Sequence, residues 1–123
     1  MAKREILFRG WNKKNKKWLY GYYCVNRGEH FIAPDEFVNP LASYEDYVVE
    51  ADSVGQYTGL KDANGVKIFE GDIIKSDAYQ HVIQYNDKET RFEAVMKDIH
   101  CSVWQQWIDA FEKVVVGNVF NYQ

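Results

Sequence analysis

Between Gly55 and Lys75 the chain reads GQYTGLKDANGVKIFEGDIIK, a run with two tight reversals in quick succession. Asp62-Ala63-Asn64-Gly65 supplies side chains that tolerate positive φ or hydrogen-bond their own backbone, and Glu70-Gly71-Asp72 forms a second sharp turn. Gly55–Leu60 reads as extended, Val66–Phe69 as its return strand and Ile73–Lys75 as the start of another. Strands this short, reversing this quickly, imply a β-hairpin within a small, strongly curved β fold of the kind small barrels adopt. Asp62, Asn64, Gly65, Gly71 and Asp72 are accordingly assigned structural roles in the turns.

The rest of the chain extends this pattern. Ile6–Trp11 and Trp18–Cys24 are aromatic-rich, β-prone runs around the polar turn Asn12–Lys17, an antiparallel hairpin signal. Asn26-Arg27-Gly28 turns into a short strand at His30–Ile32. Residues 33–46 hold both prolines and little periodicity, which predicts an irregular connection with one helical turn before a strand at Tyr47–Ala51. His81–Tyr85 and Thr90–Val95 flank a turn at Asn86–Glu89 and predict another hairpin. Then the period changes. Ile99, Val103, Trp107 and Phe111 recur every four residues, with Trp104 and Ile108 on the adjoining edge, as one helix face does. A helix is predicted within Ser102–Glu112, with Ser102 and Gln105 spaced for a capping box. Lys113–Asn121 closes the chain as a strand interrupted at Gly117-Asn118.

At 123 residues, 46% hydrophobic and 16% aromatic, the chain has enough apolar material for a real core within one compact unit. Its natural division falls in the irregular stretch, between a β-hairpin subdomain with that connection over residues 1–50 and a second subdomain over residues 51–123. Nothing at the N-terminus has the layout of a signal peptide, and no apolar run approaches the ~20 residues of a membrane helix. Cys24 and Cys101 do not make a disulfide framework, so a cytosolic protein with reduced thiols is expected.

The net charge of −3 gives no whole-molecule argument for nucleic-acid binding, but the charge is unevenly spread. Lys3, Arg4, Arg9, Lys13, Lys14, Lys16 and Lys17 crowd the first seventeen residues, while acids dominate from Asp35 to Asp72. Arg9, Trp11, Lys13, Lys14, Lys16 and Lys17 interleave cations with aromatics, as single-strand-binding platforms do, and form the candidate contact set for nucleic acid or a partner. Aromatics on alternate strand positions equally suit a core. Chemistry is harder to find. Cys24, His30, His81, His100 and Cys101 lack the close spacing of a zinc site, and neither cysteine carries a nucleophile signature. Glu70 and Asp72 flank Gly71 and could pair for acid–base work or Mg²⁺, although Asp72 suits a turn better. No glycine-rich phosphate loop exists. No catalytic, cofactor or metal residue is assigned.

The run Asp52–Ile74 (DSVGQYTGLKDANGVKIFEGDII) resembles the hallmark of the YopX family of phage and prophage proteins. The opening ILFRGWNKKNKK at Ile6–Lys17 and the closing VVGNVF at Val115–Phe120 resemble that family's ends in the same order. Ser53 and Phe69 stand where Thr and Tyr are commoner, and residues 97–112 are richer in aromatics than in many members. The resemblance implies a mainly β protein: a smaller β-rich N-terminal part, then an SH3-type β-barrel with one short helix near residues 102–112. It brings no established molecular function and no catalytic residues. The expectation is a phage- or prophage-encoded accessory protein of the host cytoplasm, acting by binding and homo-oligomerisation on an unknown phage or host protein. Alternatives are a nucleic-acid-binding module and, last, a metal-dependent nuclease.

Overall fold

The computed structural model describes residues 5–34 and 43–120. Most of the expected irregular connection, residues 35–42, lies outside the described residues. Among the described residues, eleven strands and one α-helix follow in order: β1 Phe8–Asn12, β2 Lys17–Asn26, β3 Glu29–Ala33, β4 Val48–Val49, β5 Gly55–Lys61, β6 Lys67–Phe69, β7 Asp72–Ser76, β8 Tyr79–Asn86, β9 Arg91–Met96, β10 Ile99–Ser102, α1 Gln105–Ala110 and β11 Val114–Asn118. The fold is mainly β, and every strand pairing is antiparallel. The chain divides into two compact units, with the division inside β5 between Gln56 and Tyr57.

In the N-terminal unit the strands lie in the order β4-β3-β2-β1, and the first residues of β5 add to β1 at Phe8↔Gln56 and Arg9↔Gly55. The β1–β2 hairpin closes at Asn12↔Lys17, and β2–β3 turns through Arg27 and Gly28, both at positive φ. Gly21 lies so close to the Ala33 carbonyl that any Cβ there would collide with backbone, which fixes a glycine in the middle of β2. Trp11, Ile32 and Val49 are buried. Ser53, also buried, accepts from the Trp11 N–H at 2.8 Å and donates to the Glu50 carbonyl at 2.6 Å. The strand expected at Tyr47–Ala51 is reduced to Val48–Val49, because Ala51–Ser53 tightens into a 3₁₀ turn.

In the C-terminal unit a five-stranded sheet runs β10-β9-β8-β7-β11, and β5 pairs with β6 beside it. Side chains alternate across the sheet, so Ile74, Ile83 and Ala94 share one face. They enclose a core with Ile68 and Ile108, around which Leu60, Val103, Trp107 and Val115 are partly buried. Each such buried isoleucine is worth roughly 1.5–3 kcal/mol.

Among the described residues the ladders of this sheet run from β10 to β11 in that order, and none joins β10 to β11. Two expectations need correction. The four-residue periodicity overruns the helix: Lys97 at φ +55 turns the chain, and Ile99 pairs with Met96 in a hairpin. The capping box is absent too. Ser102 lies in β10, Trp104 is the N-cap without a side-chain bond, and Gln105 instead bridges to the Lys61 backbone, donating at 2.6 Å and accepting at 3.0 Å. The helix ends on a Schellman motif, Glu112 N–H to Asp109 and Lys113 N–H to Ile108, with Glu112 at φ +51.

Candidate functional site

Lys13, Lys14, Lys16 and Lys17 sit at the exposed tip of the β1–β2 hairpin. The tip is anchored by buried Asn12, whose amide donates to the carbonyls of Glu45 and Val48 and whose oxygen accepts the Asn15 N–H. Lys14 is ion-paired to Asp46 at 2.9 Å. Hydrogen bonds from Lys14, Asn15 and the Ser43 backbone hold the Asp46 carboxyl down to about 2, and the same contact raises the Lys14 ammonium. Arg9 and Trp11 do not join this tip. Both are buried, with the Arg9 guanidinium 4.6 Å above the Trp18 ring and Trp11 packed edge-on against it at 5.6 Å. The expected cation–aromatic platform is thus split between a charged tip and an enclosed aromatic pair. A cleft of about 320 Å³ opens beside the tip, lined by Val48, Val49, Tyr44, Lys13, Glu29 and Glu50 among others.

The turn residues make dense backbone contacts. One Asp62 oxygen accepts the N–H groups of Asn64 and Val66 at 2.9 and 2.8 Å, and the other accepts the Val115 N–H of β11 at 2.9 Å. Gly65 N–H returns to the Asp62 carbonyl. Asp72 is buried and accepts the Phe69 N–H at 2.7 Å. Gly71, at φ +93, faces the Phe120 ring where a Cβ would be 2.6 Å from it. The Asp72 carboxylate is therefore committed to its own turn, beside the half-buried Glu70. Among the described residues no group of three His, Cys, Asp or Glu is placed to hold a metal.

Two arrangements in the C-terminal unit escape sequence reading. Glu93 is buried on β9, where Asn86 donates to it at 2.9 Å, Arg91 at 3.0 Å and the His100 ring lies at 3.2 Å. Those bonds, Asn86 first, hold its carboxyl below the ordinary range. Arg91 and Glu93 at i, i+2 share a strand face, which was the available signal. The second has no local signal. Lys113, just past α1, is buried with its ammonium 4.6 Å above the Trp107 ring and 5.8 Å above Phe111. Trp107 in turn meets the buried His81 ring edge-on at 5.3 Å, and His81 Nδ1 is enclosed without a hydrogen-bond partner. Burial pushes both groups down, and the nearby Lys113 charge lowers His81 further.

Two antiparallel sheets and a short helix among the described residues define a small mainly-β protein. The chain belongs to the YopX family, whose model, described as YopX protein, matches residues 7–122. It is also similar to the crystal structure of protein EF1440 from Enterococcus faecalis, at 26% identity and a TM-score of 0.55, covering 95% of this chain and 94% of that one. No curated protein matches it. No helix among the described residues is long and apolar enough to cross a membrane.

Proposed function

We propose that this chain is a non-enzymatic binding protein, a phage- or prophage-encoded accessory factor of the host cytoplasm, and that it works as a homo-oligomer. The observation that carries this reading is the free edge of the C-terminal sheet. β10 ends the sheet order and presents Ile99 at 55% exposure. Unpaired edges are templates for another strand unless blunted. The opposite edge, β11, is blunted by the irregularity between Val115 and Gly117, which leaves β10 as the seam for a second copy. In this reading the C-terminal unit is an SH3-type barrel left open between β10 and β11, and β10 pairs across a two-fold axis. Sedimentation velocity over a wide concentration range tests it. A dimer is expected, and Ile99→Lys should convert it to monomer without loss of fold. A wild-type chain that stays monomeric at the highest concentration removes the oligomer.

The second reading, nucleic-acid contact, rests on the exposed lysines at the β1–β2 tip, since Arg9 and Trp11 are buried away from it. Replacing Lys13, Lys14, Lys16 and Lys17 by Gln should then flatten the log–log salt dependence of binding by about 0.9 for each phosphate no longer neutralised. No binding to DNA or RNA at low salt ends that reading. A nuclease built on Glu70 and Asp72 has the least support, since Asp72 is held by the Phe69 amide.

A further inference from the structure

We propose that the helix-covered face of the C-terminal unit docks an apolar segment of a partner protein, and that Lys113 seats a carboxylate carried by that segment. Lys113 is only 4% exposed, yet among the described residues its ammonium makes no hydrogen bond and no ion pair. A cation taken out of water without a counter-charge is strongly unfavourable, and contact with aromatic faces offsets only part of that cost. Asp77, in the turn between β7 and β8, and Cys101, on β10, favour the charge from beyond bonding distance, but burial outweighs both. His81 faces the same pocket from β8 and adds no negative charge. The ammonium thus has no direct ion-pair partner among the described residues, and Asp77 offsets its burial only in part.

What surrounds it is apolar and open. Trp104 is 49% exposed and Phe111 58%, at the two ends of the short α1. Tyr79, two positions from His81 and so on the same face of β8, is 59% exposed. Trp107 links them, lying 6.1 Å from Trp104, 5.3 Å from His81 and under the Lys113 ammonium. Aromatic surface around one desolvated cation is complementary to an aliphatic or aromatic segment with a single acidic group. A free inorganic anion would leave the aromatics bare, and a basic segment would repel Lys113. Docking is carried by Lys113 and Phe111 and self-pairing by Ile99 of β10, so variants at these different positions distinguish the two.

The test uses the full chain and short leucine- and phenylalanine-rich peptides, each made with one glutamate and again with glutamine in its place, titrated by tryptophan fluorescence. Glutamate peptides are expected to bind at least tenfold more tightly than their glutamine partners. Lys113→Met should erase that discrimination while keeping the residual apolar affinity, and Lys113→Arg should restore part of it. Phe111→Ser, at an exposed position, should weaken both peptide types. The proposal is overturned if no glutamate peptide binds, or if discrimination survives Lys113→Met. It is overturned as well if Phe111→Ser abolishes self-association, because the face would then belong to a second copy.

Discussion

Among single residues, His81 is the one whose protonation the fold opposes most plainly. Its ring is buried against Trp107, Nδ1 has no acceptor, and Lys113 stands nearby. A charged imidazole there would bury an N–H with nothing to receive it and place a second cation beside the first. The folded value therefore lies below the ordinary 6.5. The sign follows directly: the unfolded chain binds the proton more readily, so this group's contribution is complete above 6.5 and is lost as pH falls toward the folded value. Urea unfolding between pH 8 and pH 5 should show stability declining below about 6.5. His81→Leu should remove that part of the slope, leaving the decline from carboxylates such as Glu93, which titrate lower. A slope unchanged in His81→Leu would place the titration elsewhere. None of this was legible in the sequence, where His81 is one histidine in an alternating run, because an unpartnered ring nitrogen is a property of packing.

Elements were more legible, since turn chemistry is local. Arg27-Gly28, Asp62–Gly65 and Glu70-Gly71 reverse the chain where the residues had placed the turns. The miss at Ile99 is instructive for the same reason. Lys97 turns the chain at φ +55 with no glycine or asparagine to announce it, so helical spacing looked continuous across a hairpin. The end of α1 repeats the lesson, because Glu112 occupies the left-handed position of its Schellman motif at φ +51. A side chain there is strained relative to glycine by about 1 kcal/mol. Glu112→Gly is thus expected to stabilise the chain by roughly 0.5–1 kcal/mol in denaturant unfolding, although it loosens the unfolded state. Destabilisation would mean that the Glu112 side chain makes an interaction worth more than the strain. The same motif delivers Lys113 over the Trp107 ring, so a cap invisible to periodicity positions the group on which the docking proposal rests.

For the whole molecule, the order of elements could be anticipated from sequence, whereas sheet closure could not, because it depends on whether β10 and β11 meet across more than ten residues of intervening chain. The division inside β5 has an energetic counterpart that can be measured. The fully enclosed cluster of Ile68, Ile74, Ile83, Ala94 and Ile108 lies wholly on the C-terminal side of that division, while the β1–β2–β3 ladder lies on the other. Asp62 holds its turn through the amides of Asn64 and Val66 and ties it to β11 through the Val115 N–H. Asp62→Ala leaves the Val115 N–H and two turn amides without their acceptor, at a cost of about 2 kcal/mol. If the units are separate cooperative bodies, hydrogen exchange in this variant should accelerate across β7, β8 and β11, with β2 and β3 unchanged. Uniform acceleration throughout would show instead that β5, as one continuous strand, couples both units into a single unfolding event.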